Sequence, residues 1–382
     1  MVARPLTIVQ MLPELQSGGV ERGTLELGKY LVEQGHRSMV ISAGGQMAEQ
    51  LKAEGSQSIE WSVGEKSLGS LKYIFPLCKL LQKEKVDILH LRSRLPAWIG
   101  YLAWKGLNKN SRPKLVTTFH GFYSINAYSG VMAKGERVIA ISNAVKEHVI
   151  EHYKVPAEKI PLIYRGVDET VFDPSAVSAA RIDALKQEWG IDTDTGPVIM
   201  LPGRVTSWKG QDVFLKSLDK LRHLPWTAVC VGELREDSAY TRSVISLLAE
   251  LQLQDRVKFV GNCKDMGAAY LAADLVISAS SKEAEAFGRV AIEAQSMGRA
   301  VIATAHGGSL ETVLPGKTGW LVTPDNTDSL AKAIQESLGD RDRLLRYGEA
   351  GRKWVLDNFT TNKMCEKTVT LYKELLNQSN NV

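Results

Sequence analysis

The stretch Leu275-Val-Ile-Ser-Ala-Ser-Ser-Lys-Glu-Ala-Glu-Ala-Phe-Gly-Arg-Val-Ala-Ile-Glu293 decides the fold. Its first four residues form a short apolar run that predicts a buried strand. A polar turn follows as far as Glu285, and the pattern after it predicts a helix that begins near Phe287. A buried strand that runs into a helix is the repeating unit of a parallel sheet covered by helices on both faces.

The same unit repeats along the chain in two series of similar length. A turn-rich stretch, Asp173 to Pro197, separates them, and helical segments such as Val20–Glu33 lie between the apolar runs. Two such series predict an α/β protein with two Rossmann-like domains. The predicted strands are Leu6–Leu12, Ser38–Ser42, Asp87–Leu91, Lys114–Phe119 and Arg137–Ser142, then Val198–Leu201, Thr227–Val231, Val257–Val260, Leu275–Ser278, Ala300–Ala303 and Trp320–Val322.

A chain of 382 residues is too long for one compact core and suits two domains. We expect these domains to cover residues 1–172 and 173–359, followed by a long amphipathic helix, Thr360–Leu376. In sheets of this type, ligands bind at the carboxyl ends of the strands. The loops that follow the predicted strands are therefore where functional residues are expected.

The bulk composition indicates a soluble globular protein, with 44% hydrophobic and 24% charged residues. No run of about 18 apolar residues predicts a membrane span, and the N-terminal segment lacks the apolar core of a signal peptide. The cysteines lie far apart, which indicates a reduced protein without a zinc site or disulfide framework. We therefore expect a cytoplasmic protein, either free or peripheral at the inner face of the plasma membrane. The cysteines are Cys78, Cys230, Cys263 and Cys365.

The segment from Lys66 to Lys114 is strongly basic. Its 11 lysines and arginines face only two acidic residues, a net charge of +9, and aromatic residues such as Trp98 and Trp104 are interleaved with the charges. This pattern suits an anionic membrane surface or a phosphorylated acceptor. A helix with a buried aromatic face and solvated lysines explains the pattern equally well. Nucleic acid is disfavoured, because no nucleic-acid-binding motif accompanies the charge.

The loop from Gly203 to Gly210 carries two cations, Arg204 just after a predicted strand and Lys209 just before a predicted helix. An arginine supplies a forked donor and a lysine a point charge, so the two together suit a diphosphate. Glycines at both ends of the loop let the backbone approach a ligand closely. Taken alone, a pair of exposed loop charges is the simpler interpretation.

Glu285 and Glu293 lie eight positions apart across the predicted start of a helix. The first N–H groups of a helix have no intrahelical partners, and they attract phosphate and sugar oxygens. The amides of Phe287 and Gly288 lie between the two acids. The spacing therefore predicts that the acids contact different parts of one elongated ligand, with Glu283 as an alternative to Glu285 in the turn.

These two segments, in this order and about 80 residues apart, resemble the signature of retaining glycosyltransferases with the GT-B fold, family 4 in particular. The resemblance covers nearly the whole chain and is strongest from Leu201 to Val322. It implies two Rossmann-like domains that face each other across a cleft. Residues 1–172 would bind the acceptor and 173–359 the nucleotide-sugar donor, and the last segment, 360–382, would return to the first domain.

The resemblance also implies roles for the four charged residues. Arg204 and Lys209 would hold the diphosphate of the donor, Glu285 would contact the transferred sugar, and Glu293 would bind the ribose hydroxyls of the nucleotide. The Glu-x-Phe-Gly order favours Glu285 over its neighbour two positions earlier. No protein general base is implied, because the departing phosphate takes the proton of the acceptor.

Backbone groups complete the implied donor site. The amides around Phe287 and Gly288 would meet sugar hydroxyls or phosphate, and the main chain near Asn262 and Cys263 would hold the base. The donor would be a UDP-sugar more often than a GDP-sugar in this family, and its sugar a hexose or an N-acetylhexosamine.

The first domain contains two further candidates. Gly18 and Gly19 lie between a strand and a helix, where the helix start would meet the donor phosphates, although their spacing is not that of a dinucleotide fingerprint. His120 ends another strand beside a glycine and resembles the histidine of the family that hydrogen-bonds the transferred sugar. Taken alone, each is as well explained by a plain turn or a structural histidine. Arg92 and Arg94 belong to a segment that resembles enzymes of bacterial surface polysaccharide and lipopolysaccharide synthesis, where they would meet an anionic acceptor or only pack at the surface.

No essential metal is expected. Two Asp-x-Asp sequences, at 192–194 and 340–342, match the metal motif of the other glycosyltransferase fold, but neither directly follows a suitable strand. Three functions remain open. The first is transfer of a sugar to a bacterial envelope glycan or glycolipid such as lipopolysaccharide, and the second is another reaction on the same fold, such as nucleotide-sugar epimerisation. The third is binding of a sugar nucleotide without catalysis.

Overall fold

The computed structural model describes residues 4–16, 18–191 and 196–378, and its contacts divide the chain into two compact units. One unit contains Met1–Gly166 and Thr361–Val382, and the other contains Val167–Thr360. We call them the N-terminal and C-terminal units. Within the described residues, no helix is long and apolar enough to cross a bilayer.

The N-terminal unit is built on a parallel sheet with helices on its faces. Its strand order is third, second, first, fourth, fifth, sixth, which is the Rossmann arrangement. The strands are β1 (Thr7–Met11), β2 (Arg37–Ser42), β3 (Gln57–Glu60), β4 (Ile88–Leu91), β5 (Lys114–Phe119) and β6 (Arg137–Ala140). The helices are α1 (Gly19–Glu33), α2 (Ala48–Ala53), α3 (Ile74–Lys83), α4 (Arg94–Gly106) and α5 (Asn143–Tyr153).

The C-terminal unit repeats this architecture. Its strands are β7 (Val198–Pro202), β8 (Thr227–Val231), β9 (Val257–Phe259), β10 (Leu275–Ser278), β11 (Ala300–Thr304) and β12 (Gly319–Val322), in the order β12-β11-β10-β7-β8-β9. The helices are α6 (Ala179–Glu188), α7 (Gln211–Asp219), α8 (Ala239–Glu250), α9 (Met266–Ala272), α10 (Arg289–Ser296), α11 (Ser309–Thr312), α12 (Thr327–Leu338) and α13 (Arg341–Asn358). The prediction of two Rossmann-like domains is therefore confirmed.

The strand order explains where ligands can bind. In the C-terminal unit the first strand, β7, pairs with β10 on one side and β8 on the other. The helices that follow β7 and β10 therefore lead away from this point in opposite directions, which opens a crevice outside the carboxyl ends of these two strands. The corresponding point in the N-terminal unit lies between β1 and β4.

Strand β3 is absent from the sequence prediction. Its four residues contain only one apolar side chain, Ile59, and none of the four is buried, because β3 lies at the edge of the sheet. Hydrophobic periodicity detects strands that bury at least one face, so an exposed edge strand gives too weak a signal.

The last helix, α14 (Thr361–Asn377), packs in the N-terminal unit, as expected. Its apolar face, including Val369 and Leu375, joins a core cluster with Leu6 and Ile8 of the first strand region. The hydroxyl of Tyr372 also lies 2.6 Å from His90 Nδ1, and His90 Nε2 lies 2.7 Å from Thr118 Oγ1. Burial, with the nearby charge of Arg92, lowers the pKa of His90 well below its ordinary value, so the imidazole is neutral.

Removing the hydroxyl of Tyr372 should destabilise the N-terminal unit. The Tyr372→Phe variant keeps the ring but leaves a buried nitrogen of His90 without its partner, at a cost of about 1–3 kcal/mol. Differential scanning calorimetry should show a melting midpoint lower by at least about 2 °C for this unit. The exposed neighbour substitution Glu374→Gln should leave the midpoint unchanged, and an equal effect of both variants would contradict the assignment.

Candidate active site

Two loops of the C-terminal unit are held against each other at the carboxyl ends of β7 and β10. Gly210, which precedes α7, has φ 74°, and a Cβ atom there would lie 2.0 Å from the carbonyl oxygen of Ala279. The amide of Ser281 donates to the carbonyl oxygen of Trp208 at 2.9 Å. Only glycine allows this close approach, so Gly210 brings the loop with the two cations against the loop with Glu285.

Lys209 and Glu285 form a buried ion pair across these two loops. Lys209 Nζ donates to Glu285 Oε1, and the two side chains are 15% and 11% exposed. The buried hydroxyl of Ser280 donates to the same oxygen at 2.7 Å. Glu285 Oε2 accepts no hydrogen bond from any described residue, so this side of the carboxylate remains open to a further donor.

The ion pair sets the charge of Glu285. Burial raises the pKa of this carboxyl, but the charge and hydrogen bond of Lys209, the Ser280 hydroxyl and the nearby His306 outweigh it, so the net pKa is lowered from 4.5. Burial lowers the pKa of His306, which keeps its imidazole neutral at pH 7. The site therefore holds an ionised glutamate that is paired with Lys209.

The position of Glu285 distinguishes it from Glu283. The carbonyl oxygen of Glu285 accepts the amide of Gly308 at 2.7 Å, and a Cβ atom at Gly307 would lie 2.2 Å from the same oxygen. Glu283 is exposed.

Arg204 is also exposed and makes no ion pair with any described residue, whereas Lys209 is already paired. The two cations that were predicted to hold a diphosphate thus lie in one loop but in different surroundings.

Glu293 occupies the second turn of α10. Its Oε2 accepts the hydroxyl of Tyr270 at 3.0 Å, and its Oε1 accepts Arg289 Nε at 3.3 Å. The side chain of Glu293 is 12% exposed. Tyr270 is fully buried, so its hydroxyl holds the carboxylate from the interior of the protein. The exposed fraction of the Glu293 side chain lies at the surface.

Phe287 and Gly288 lie between the two acids, and α10 begins at Arg289, two residues later than predicted. The ring of Phe287 is buried against Phe359, with ring centroids 5.6 Å apart, so it belongs to the core. Gly288 has φ 90° and caps the helix start, a conformation that other residues rarely adopt. Any contact of this segment with a ligand therefore comes from its backbone.

Asn262 and Cys263 follow β9, at the edge of the sheet, with β8 between that strand and β7. Asn262 is exposed, and Cys263 is half-buried with a pKa raised by burial. The structure therefore does not bring these residues beside Glu285. They lie at the same side of the sheet, where the strands have their carboxyl ends, but two strands away from β7.

The N-terminal unit contains a separate polar cavity of about 20 Å³, enough for about one water molecule. His120 lines this cavity, and both of its ring nitrogens are buried without a hydrogen-bond partner among the described residues. Burial, with the charges of Arg92 and Arg165, lowers the pKa of His120 well below its ordinary value. His120 is therefore a neutral imidazole.

Two arginines of the N-terminal unit have surroundings that the sequence did not indicate. Arg92 is 4% exposed and donates to Gln10 Oε1 at 3.0 Å, so it is a core residue and not a surface one. Arg94 lies over the rings of Tyr123 and Tyr128 at 5.0 and 5.6 Å. The interpretation that Arg92 packs at the surface is therefore wrong. Arg92 lines the same cavity as His120, and its charge acts on that imidazole.

Gly18 and Gly19 form the start of α1. Gly18 is the N-terminal cap residue in extended conformation, and both glycines are exposed. The first Asp-x-Asp sequence lies outside the described residues. In the second, Asp340 caps α13 by accepting the amide of Arg343 at 2.8 Å. Asp340 thus has a structural role at a helix start.

Three residues at the site escaped the sequence analysis as functional candidates. Ser280 is one serine in a run of polar turn residues, and Tyr270 is one apolar position on a predicted helix, so no pattern separates them from their neighbours. His306 precedes two glycines in a turn, and nothing in this pattern marks it as functional. Their proximity to the glutamates is a tertiary contact, which local sequence does not encode.

Removing the cation of the buried pair should make the stability of the C-terminal unit strongly pH-dependent. In Lys209→Met, the charge and hydrogen bond of the lysine no longer oppose burial, and only the Ser280 hydroxyl and His306 still do, so the pKa of Glu285 rises. The wild-type pair stabilises the fold above pH 4.5, and this contribution disappears as pH falls through the lowered pKa. We expect the variant to lose about 3 kcal/mol at pH 7. The difference from wild type should begin to shrink as pH falls through the raised pKa of the variant and should shrink further below pH 4.5.

Urea unfolding at several pH values measures this effect. The double variant Lys209→Met/Glu285→Gln serves as the control, because it removes both charges and should recover most of the lost stability at pH 7. A loss for Lys209→Met that is the same at every pH would contradict the buried pair.

The matches to known families cover most of the chain. Residues 182–354 match the family Glycosyl transferases group 1, and residues 17–171 match Glycosyltransferase Family 4. A curated relative, N-acetyl-alpha-D-glucosaminyl L-malate synthase of Bacillus anthracis, is 27% identical over 384 aligned positions that cover 97% of each chain.

Solved structures give the same assignment. A glycosyltransferase from Rickettsia africae is 39% identical, with a TM-score of 0.90 over 97% of this chain and 99% of its own. Anabaena Alr3699/HepE, solved in complex with UDP and glucose, is 24% identical, with a TM-score of 0.83 over 96% of this chain and 99% of its own. Together with the two six-stranded parallel sheets, these matches show that the chain belongs to the family 4 glycosyltransferases with the GT-B fold.

Proposed function

We propose that this protein transfers a hexose or an N-acetylhexosamine from a nucleotide-sugar, a UDP-sugar in preference to a GDP-sugar, with retention of the anomeric configuration. The acceptor we propose is a bacterial envelope glycan or glycolipid such as lipopolysaccharide. One observation carries the proposal: a buried, ionised Glu285 keeps one carboxylate oxygen open beside the ammonium group of Lys209.

The two loops supply complementary groups for such a donor. An open carboxylate oxygen on Glu285 suits a hydroxyl of the transferred sugar, because a carboxylate accepts several hydrogen bonds. Lys209 Nζ has three donors, of which one is used by Glu285, so it can also contact a phosphate oxygen. Exposed Arg204 supplies a second cation in the same loop. Opposite charges side by side suit a molecule whose sugar adjoins a diphosphate.

In the proposed reaction, the bond between the anomeric carbon and the phosphate oxygen breaks, and the acceptor hydroxyl attacks on the face that the phosphate leaves. The acceptor proton goes to the departing phosphate, so no general base of the protein is required. Cations placed at the phosphates favour this step, because negative charge develops there as the bond breaks. No metal is assigned to the reaction.

The remaining candidate residues would complete binding. Glu293 would accept the ribose hydroxyls, and the backbone around Phe287 and Gly288 would meet sugar or phosphate oxygens. The main chain near Asn262 and Cys263, farther along the sheet edge, would contact the base. From the N-terminal unit, Gly18 and Gly19 would offer a helix start to phosphate, and the neutral imidazole of His120 would hydrogen-bond the sugar.

A donor and acceptor screen tests the proposed activity. UDP- and GDP-activated hexoses and N-acetylhexosamines are incubated with lipopolysaccharide core acceptors, with membrane lipid extracts, and with L-malate, which forms part of the name of the Bacillus relative. Sugar recovered on an envelope acceptor supports the proposal. Transfer to L-malate alone would overturn the acceptor, an epimerised donor would indicate an epimerase, and binding without turnover a non-catalytic protein.

Glu285→Gln should abolish transfer while the protein still binds the nucleotide. The amide keeps the size of the side chain but removes the charge and one acceptor oxygen, and we expect turnover to fall by at least about 100-fold. Nucleoside diphosphate affinity, measured by calorimetry, should change less than about threefold. The neighbouring exposed variant Glu283→Gln is the matched control, and normal turnover by Glu285→Gln would remove this acid from the site.

We further propose that the basic segment contacts an anionic membrane surface through a face formed by Leu71, Lys72, Phe75, Lys79 and Lys83. These residues are exposed at helical spacing, and Phe75 has 67% of its surface open. The ammonium group of Lys79 lies 4.7 Å from the ring of Phe75. By contrast, Trp104 and Leu107 are buried. Packing in the core therefore explains these two residues but not the exposed Phe75. Lysines around an exposed apolar ring suit anionic lipid headgroups.

Lys72→Gln/Lys79→Gln should weaken binding to vesicles rich in phosphatidylglycerol. Each lysine near such a surface contributes about 1 kcal/mol, so the double variant should bind about 30-fold more weakly. Lys332→Gln/Lys353→Gln, which removes two exposed lysines of the C-terminal unit, is the control with equal net charge. An equal loss of vesicle binding in both double variants would contradict a specific face. Wild-type protein that binds phosphatidylcholine vesicles as tightly as phosphatidylglycerol-rich ones would also contradict it.

A further inference from the structure

The carboxylate of Glu293 has a specific set of partners. Each of its two oxygens accepts one hydrogen bond from the described residues, Oε2 from the Tyr270 hydroxyl and Oε1 from Arg289 Nε. A carboxylate offers about four acceptor positions. The protein therefore uses about half of them, and one position on each oxygen remains for donors from a ligand.

The hydroxyl of Tyr270 is fixed by packing. Tyr270 lies on α9 and is completely buried, with its ring 6.0 Å from that of Phe172 in an edge-to-face arrangement. The N-terminus of α9 is capped by Asp265, which accepts the amide of Ala268 at 3.1 Å and pairs with Arg181. The ring of Tyr270 therefore has little freedom, and its hydroxyl defines where Glu293 Oε2 can lie.

Arg289 restrains the other oxygen less strictly. It lies one turn before Glu293 on the same helix, and its Nε donates to Oε1 at 3.3 Å, which is longer than the 3.0 Å contact of the Tyr270 hydroxyl with Oε2. If Tyr270 did not hold Oε2, the carboxylate would be free to rotate about its terminal bond, which has a broad torsional preference. The orientation of the two open acceptor positions thus depends on Tyr270.

We infer that Tyr270 is a positioning residue for nucleotide recognition. By holding Oε2, it directs the two open acceptor positions of Glu293 toward an adjacent pair of hydroxyls, the 2′- and 3′-hydroxyls of a ribose. Tyr270 would thereby determine the preference for ribonucleotides over deoxyribonucleotides. This inference rests on the proposed role of Glu293 at the ribose.

Affinities for UDP and 2′-deoxy-UDP, measured by calorimetry, test the inference. GDP and 2′-deoxy-GDP replace them if the donor screen selects guanosine. We expect the wild type to bind the ribonucleotide about tenfold more tightly, because a hydrogen bond to a charged group is lost with the hydroxyl. In Tyr270→Phe the buried ring stays and only the hydroxyl is removed, so the ratio should fall close to one.

Two controls separate specificity from stability. Tyr372→Phe also removes a buried, hydrogen-bonded hydroxyl, but in the N-terminal unit, and should leave the ratio at its wild-type value. Glu293→Gln should lose the preference as Tyr270→Phe does, because it replaces one acceptor oxygen with an amide donor. Circular dichroism and melting curves establish that each variant is folded.

The outcomes distinguish the inference from the function on which it rests. A wild type without any ribose preference would remove Glu293 from the ribose and overturn both. A preference that is lost in Glu293→Gln but kept in Tyr270→Phe would overturn the role of Tyr270 alone. Equal weakening of both nucleotides by Tyr270→Phe would also overturn it, because a purely structural residue would act in that way.

Discussion

The buried ion pair of Lys209 and Glu285 is the constraint on which the candidate site depends. A charge removed from water is costly unless a partner and hydrogen bonds compensate it, and here one cation and one hydroxyl do so. The partners come from loops after β7 and β10, neighbouring strands, and the pair forms only because Gly210 permits the loops to touch. Sheet order, a glycine and a charge pair are thus one structural unit.

The pair also explains how one lysine can belong to two environments. The sequence resemblance gives Lys209 to a diphosphate and Glu285 to a sugar, whereas the structure joins them directly. These are compatible, because an ammonium group donates in three directions and only one is taken by the carboxylate. Glu285 holds the lysine in place without a ligand, so the proposed donor would find little side-chain freedom left to lose on binding. The site is preorganised by its own ion pair.

How far the sequence predicted this protein differs between elements. Strands such as β5 and β10 bury every apolar residue, so the apolar runs located them to within a residue or two, and the loops that follow them contain the candidates His120 and Glu285. The edge strand β3 escaped because it is not buried. Arg92 was placed at the surface because arginine is rarely buried, and only the tertiary structure shows its contact with Gln10. Tyr270 escaped as the partner of Glu293 because it lies 23 positions earlier, and a contact between separate segments leaves no local periodicity.

The two glutamates follow one design. Each carboxylate accepts one hydrogen bond from a cationic side chain and one from the hydroxyl of a buried residue. These donors are Lys209 and Ser280 for Glu285, and Arg289 and Tyr270 for Glu293. The arrangement differs in one respect. Both donors of Glu285 converge on Oε1 and leave Oε2 open, whereas those of Glu293 are divided between the two oxygens. A carboxylate with one open oxygen suits a hydrogen bond from a single hydroxyl. A carboxylate with one open position on each oxygen suits an adjacent pair of hydroxyls. In the proposed site, the hydrogen bonds supplied by the protein thus leave each acid with a different set of open acceptor positions.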